Sequence, residues 1–495
     1  MTGGGGALFD YDGDGDLDLY LVQGGALGPD SSMARDGRDI GENERDVLLR
    51  NDGDIGGVRW KDVTAAARLA SDGYGMAVAT GDFDGDGWID LLVGNYGANQ
   101  LWRNRGDGTF ADASRALSQS RPGWTTGAAF VDYDSDGDED LYLVNYVGYS
   151  VAEAPTCYAP SSRQDYCGPS DFESQSDRLL RNLGDSTFED VTVSSGVGSV
   201  AGSGLGVAVL DVDGDGRLEL YVSNDGQPNF LWRIENGRWI DDALLSGVAV
   251  NGRGEPEAGM GIAVGDYDRD GDEDILVTHL SGESDTLYVN SGGGLFDDLS
   301  SESGLAAPSL PYTSFGVSWI DFDHDGWLDL AVVNGAVRIQ EAAAARGEAY
   351  PLAQRNQLFG NQRGRFVERL DPVFTAVQAV GRGLVRGDVD NDGDQDLVVI
   401  NSAGPAELFL DAAAAAGSWL GVSLARPAHQ SLVAEYEDGS TMLARASSAG
   451  SYASAADPRV VLAGSARIRA LTIRLADRRI RVIDPAVDHY LRIGP

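Results

Sequence analysis

The sequence predicts an all-β protein: a seven-bladed β-propeller followed by a small β-rich domain. Three observations predict it. An acidic nine-residue motif recurs seven times, each copy sits between strand-like segments, and the segment ahead of each copy is built from glycine and small apolar residues. Self-similarity at such spacing marks a repeat architecture.

The motif, Asp-x-Asp-x-Asp/Asn-Gly-x-x-Asp/Glu, starts at Asp10, Asp82, Asp132, Asp211, Asp266, Asp321 and Asp388, at intervals of 50 to 79 residues. Ahead of it lie runs such as GMAVATG, TGAAFV and GLGVAVL. Gly and Ala there let neighbouring backbones approach around a central channel, so this is the innermost strand. After it come β-branched runs such as DLLVGN, DLYLVNY and DLVVIN. A third segment (QLWRNRGDG, RLLRNLGDS) and a fourth (TFADAS, TFEDVT) complete the unit. Their length, turn residues and β-branching favour strands. Four short antiparallel strands, repeated seven times, describe a propeller.

The acidic turns have the donor set of a hard cation. Ca²⁺ takes six to eight oxygens, and alternate residues of a tight loop point inward. The first position is the Asp that opens each motif. The third is Asp12, Asp84, Asp134, Asp213, Asp268, Asp323 or Asp390. The fifth is Asp14, Asp86, Asp136, Asp215, Asp270, Asp325 or Asp392. The seventh is Asp16, Trp88, Asp138, Arg217, Asp272, Trp327 or Asp394. Only its backbone carbonyl is needed, so Trp and Arg are tolerated. The ninth is Asp18, Asp90, Asp140, Glu219, Asp274, Asp329 or Asp396. Glycine at the sixth position permits the sharp turn. Position 12 falls inside a strand (Leu21, Val93, Leu143), which excludes an EF-hand. Up to seven Ca²⁺ are expected, stapling hairpins whose carboxylates otherwise repel. Affinities on the order of 10⁻⁴ to 10⁻³ M, as for extracellular modules, are expected.

Strand alternation puts these turns at one face. The long insertions 23–46, 145–177 and 334–357 join second to third strands and therefore share the opposite face. Long loops gathered on a rigid disc are a place to bind a protein or glycan. The 145–177 insertion holds Cys157 and Cys167, the only cysteines, which either close a small ring or stay free. EAAAARGEA in 334–357 reads as a short helix.

Net charge is -41, which excludes nucleic acid as a partner. Hydrophobic content is 42%, enough for a packed interior. No run of about 18 apolar residues is present, so no membrane-spanning helix is expected. The propeller is assigned to residues 1–411, an Ala-rich linker to 412–417 and the second domain to 418–495. Residues 418–495 carry ten Arg against seven Asp plus Glu, so the two parts attract.

The seven DxDxDG copies with their LWRN and GDGTF followers resemble the FG-GAP/VCBS repeats of integrin-like propellers. Residues 418–495 are similar to the ASPIC/UnbV domain in SWLGVSLA, the DGS turn, SSAGSYASAADPRVVLAGSA and IRALTIRLAD. Together they resemble the cartilage acidic protein family in its bacterial form. The resemblance implies a calcium-binding, secreted, periplasmic or cell-surface protein acting in adhesion or interaction. Two departures stand out. The segment after WLGVSLA is shortened relative to the family, and ELFLDAA leads directly into the linker, leaving the seventh blade without a fourth strand. The expectation is a start further upstream, supplying that strand and an export signal.

A calcium-dependent polysaccharide lyase is the enzymatic alternative, with an accessory protein of a biosynthetic cluster as a third reading. A lyase needs a base and a charge-neutralising group in one pocket. His279 follows a second strand near the long-loop face, His324 reads as exposed filler in an acidic turn, and His429 and His489 fall in the second domain. No Ser-His-Asp order, HExxH, P-loop or GxGxxG in a βαβ setting appears. No catalytic residue is assigned.

Overall fold

The computed structural model describes residues 3–24, 45–53, 57–69, 71, 73–117, 123–158, 164–347, 351–402, 404–411, 419–425, 429–464, 466–475 and 479–494. The expected linker and parts of all three long insertions lie outside these residues. The fold is all-β and propeller-like. Among the described residues the α-helices are single short turns, including the expected one at Glu341–Ala345.

Every acidic motif joins two antiparallel strands. The inner strands are Gly6–Phe9, Tyr74–Gly81, Gly123–Val131, Gly204–Leu210, Ile262–Gly265, Ser314–Ile320 and Gly381–Gly387. Their partners are Asp18–Leu21, Asp90–Gly97, Asp140–Asn145, Glu219–Asn224, Asp274–Val277, Asp329–Asn334 and Asp396–Asn401. Third strands follow at Val47–Asn51, Gln100–Asn104, Arg178–Asn182, Phe230–Glu235, Thr286–Asn290, Gln357–Asn361 and Glu407–Phe409. Six groups add a fourth strand: Trp60–Asp62, Phe110–Asp112, Phe188–Asp190, Arg238–Asp241, Phe296–Asp298 and Phe366–Arg369. The seventh has three among the described residues. The second and third groups are also joined edge to edge, Tyr96 opposite Trp124 and Gly97 opposite Gly123.

The inner strands crowd together as their glycines require. A Cβ on Gly261 would lie 2.1 Å from the carbonyl of Phe315 in the next inner strand. One on Gly383 would lie 2.6 Å from the Gly4 carbonyl, which brings the last strand against the first. Apolar cores fill the spaces between adjacent groups, as where Tyr221 and Ile262 meet Tyr288 and Phe296. Dispersion and burial of these side chains hold each group to its neighbour.

Residues 447–459, assigned with the second domain in the sequence, run along the inner strands. Ser451 exchanges backbone hydrogen bonds with Ile262 at 3.1 and 2.6 Å, and its Oγ donates to the Leu384 carbonyl at 2.7 Å. Val78 N–H donates to Ala453, Leu8 N–H to Ala455, and Asp457 N–H to the Arg386 carbonyl. Tyr452 is fully buried against Phe315, ring centroids 4.8 Å apart, with Ala77, Leu205 and Met260 around it. The small residues of SSAGSYASAA let this segment fit where inner strands converge.

The remaining C-terminal strands form two sheets. Leu420–Leu424 pairs antiparallel with Val460–Leu462 and parallel with Tyr490–Ile493. Gln430–Tyr436 pairs with Thr441–Ala446 and Ile468–Arg474, which pairs with Arg479–Ile483. Leu420, Val422, Leu432, Leu471 and Ile473 form a shared core. This part sits on the acidic-turn face. Arg445 makes a two-bonded pair with Glu273 at 2.7 and 2.7 Å, and His429 Nε2 lies 2.6 Å from the Phe130 carbonyl.

Candidate functional site

The acidic turns are organised from the first carboxylate outward. In all seven, the sixth-position glycine has a positive φ of 85° to 97° and donates its N–H to the first-position Asp, as Gly15 does to Asp10 at 3.0 Å. The fourth position is also left-handed, at Ser135, Arg269, His324 and Asn391 as well as at glycines. Such a conformation costs a residue with a Cβ about 1 kcal/mol or more, so contacts must offset it. They do at three positions. Arg269 donates to the Thr441 carbonyl, His324 Nε2 lies 3.2 Å from Asp394, and Asn391 Nδ2 donates to Asp16 at 2.7 Å. His324 is therefore not exposed filler. It is 5% exposed and bridges two turns.

Carboxylate oxygens of Asp10, Asp12 and Asp18 gather within 4.8 Å in the first turn. The same closeness holds for Asp82, Asp84 and Asp86, for Asp132, Asp134 and Asp136, and for Asp211, Asp213 and Asp215. Burial pushes the ninth-position acids upward, reinforced by the neighbouring carboxylates: Asp18 to about 8, Asp90 to about 9, Asp140 to about 8, Glu219 to about 8, Asp274 to about 9, Asp329 to about 8 and Asp396 to about 8. Buried Oδ1 atoms of Asp12, Asp211, Asp266 and Asp390 have no hydrogen-bond partner. Crowded, desolvated carboxyl groups of this kind fit a hard cation with oxygen ligands, Ca²⁺ before the smaller Mg²⁺.

The ninth position has a second task. Asp18 accepts N–H bonds from Tyr11 and Asn51, and Asp274 accepts them from Tyr267 and Asn290. The third-strand asparagine then reaches the preceding group. Asn51 Nδ2 donates to Val389, Asn104 to Tyr11, Asn182 to Phe83, Asn290 to Val212 and Asn361 to Tyr267, at 2.7–3.0 Å. Each latch ends on the carbonyl of a second motif position. Ile234 and Asp411 stand where the fourth and seventh groups would have this asparagine. The LWRN segments read as strands in the sequence, and the latch itself is not visible there. The recurrence of Asn after the alternating run was the available signal.

Seventh-position side chains are not idle. Trp88 packs on Gly13 of the preceding turn, Trp327 stacks with the Arg269 guanidinium at 5.5 Å, and Arg217 pairs with Asp215. Arg50 lies 3.8 Å from Asp12, and Arg103 and Arg233 pair with the third-position Asp84 and Asp213. These arginines partly neutralise the first, second and fourth turns.

At the opposite end, Cys157 and Cys167 are disulfide-bonded, closing a loop that exposes Tyr158 and Tyr166. His279 is sealed in, 1% exposed and 3.6 Å from Glu257. His429 has both ring nitrogens in hydrogen bonds, to Phe130 and Ser447. Neither His279 nor His429 is placed to act as a free base. No helix among the described residues is long and apolar enough to cross a membrane.

The chain is similar to cartilage acidic protein 1 of Mus musculus, 26% identical over 352 residues, covering 67% of this chain and 48% of that protein. The Xenopus tropicalis counterpart is 25% identical over 418 residues, covering 70% and 61%. The chain thus spans about half to three fifths of the length of these curated relatives. Among solved structures, an Agrocybe aegerita lectin recognising non-reducing terminal N-acetylglucosamine aligns with a TM-score of 0.43 at 17% identity, over 74% of this chain and 88% of the lectin. The FG-GAP-like repeat pattern matches residues 10–93, 82–143, 165–222, 211–277 and 266–332. With its repeats laid over the acidic turns and the strands beside them, the chain belongs to the FG-GAP-like repeat family and is homologous to cartilage acidic protein 1.

Proposed function

We propose that the protein is an extracellular or periplasmic calcium-stabilised scaffold. A seven-bladed propeller, residues 1–411, carries up to seven Ca²⁺ in its acidic turns, and residues 418–495 form the second domain. It binds a protein or glycan in adhesion or interaction through the face bearing 23–46, 145–177 and 334–357. The observation that carries this reading is the contrast between the two ends. The acidic-turn end is occupied by the chain's own C-terminal part, whereas the other presents Tyr158 and Tyr166, 66% and 59% exposed, on a disulfide-closed loop. Exposed tyrosines on a constrained loop offer contact area at low entropic cost. A disulfide suits an oxidising compartment.

Thermal melting across a calcium titration, paired with glycan and surface-protein capture, tests both halves. Stability should rise with Ca²⁺, and capture should fall at least about tenfold in a Tyr158→Ala, Tyr166→Ala variant with unchanged melting. Indifference to chelator would remove the metal. Undiminished capture by the variant would move the binding face elsewhere.

A further inference from the structure

The seven acidic turns share a backbone plan but not an environment. The fifth-position Asp is exposed in the first six (Asp14, Asp86, Asp136, Asp215, Asp270, Asp325), and Asp392 in the seventh is half-buried. Around it, Asp388 is 0%, Asp390 7%, Asp394 5% and Asp396 1% exposed. The cover comes from the C-terminal part. The Trp419 indole lies on Gly393, where a Cβ would meet it at 2.1 Å. Tyr490 Oη donates to Asp388 Oδ2 at 2.7 Å. Arg459 donates to the Asp388 carbonyl at 2.8 Å and to Asn391 Oδ1 at 2.9 Å, with its guanidinium 4.6 Å from the Tyr490 ring.

Inside this cover an acceptor is left over. Asp390 Oδ1 is buried without a hydrogen-bond partner, and its carboxylate lies beside that of Asp392. Two adjacent acids, one of them shut off from water, need a positive centre between them. Arg459 does not supply it, because its bonds go to backbone and amide oxygens and to Asp457. We propose that the seventh turn holds a trapped cation, one that exchanges only when Trp419, Arg459 and Tyr490 lift away, so that docking of the C-terminal part and metal retention are a single event. This rests on the calcium reading above and adds a kinetic inequality among the sites.

The test is release of radioactive ⁴⁵Ca²⁺ from the loaded full chain into excess chelator. One ion per chain should leave at least about tenfold more slowly than the rest, since its exit requires local opening. Asp390→Asn should abolish the slow phase and leave the fast ions, whereas Asp268→Asn should remove one fast ion and leave the slow phase. Tyr490→Phe, which keeps the ring and deletes the bond to Asp388, should accelerate the slow phase. Absence of any bound ⁴⁵Ca²⁺ would defeat the calcium reading itself. Binding with a single uniform release phase, or a slow phase surviving Asp390→Asn, would defeat the trapped site alone.

Discussion

The rim and the hub of this ring are held by different physics. At the rim, repeated turns concentrate carboxylates that repel one another, and their backbone bonds are local, spanning five residues from the sixth-position glycine to the first-position Asp. At the hub, residues 447–457 bond to strands far away in the chain, from 67 residues between Ser451 and Leu384 to 448 between Ser454 Oγ and the Gly6 N–H that donates to it. The acidic-turn bonds form within each hairpin and are electrostatically costly, while His324, Asn391 and the latch asparagines link one turn to another. Hub contacts add little charge but depend on the whole ring being in place. Cation chemistry should therefore govern the rim, and packing should govern the hub.

The largest effect that would sharpen this contrast is metal removal. At about 10 mM free Ca²⁺ and the expected affinity range, each filled turn contributes roughly 1.4–2.7 kcal/mol. Several such sites together exceed any single side chain. Chelation should lower the melting temperature by more than any point variant below, read by calorimetry with and without chelator. A smaller drop would break the division between rim and hub. Next comes Tyr452→Ala, which empties a fully buried position at the hub. A loss of about 3–5 kcal/mol in denaturant unfolding is expected, little changed by Ca²⁺. If excess Ca²⁺ restored the variant, hub and rim would not be separable.

Breaking the seam between the two should cost slightly less. Arg445→Ala leaves Glu273, 3% exposed by its side chain, without its charged partner and with only the Asp211 N–H on its carboxylate. About 3 kcal/mol should be lost, and Arg445→Met with Glu273→Gln together should recover part of it. A double-mutant cycle reads this directly.

The smallest effect is pH-dependent. Burial pushes His429 down to about 4, so it is neutral in the folded protein. The unfolded chain binds the proton more readily, near 6.5, so stability is complete above that value and falls as pH drops from 6.5 towards 4. The total is at most about 3 kcal/mol. His429→Gln should flatten this part of a pH–melting profile recorded without Ca²⁺. An unchanged slope would show that His429 does not cause the loss, which the acidic turns, with their raised values, would oppose.

Much of the rim was legible in the sequence. Each turn declares its own glycine, its alternating acids and the β-branched strand that follows, because these choices are made within one hairpin. The disulfide was legible as one of two options, and the short helix at Glu341–Ala345 was read directly. What stayed hidden was what joins one repeat to another. His324 read as filler because its partner, Asp394, is 70 residues away in the chain. The latch asparagines looked like strand ends because their acceptors lie in the preceding group. SSAGSYASAA stood only as part of the family resemblance, since small residues around one tyrosine do not reveal that inner strands of the propeller-like part surround them.

The latches also give the ring a sense of rotation. Asn104 grips the turn before it, Asn182 the next, and so on in one circular direction, with Ile234 and Asp411 as the interruptions. A disturbance that melts one hairpin removes the grip it exerts on its predecessor, while its own turn is still held from behind. Damage should thus travel backwards along the chain and stop at the two interruptions. The wheel unwinds as arcs bounded by a ratchet, rather than opening evenly on both sides of the first break.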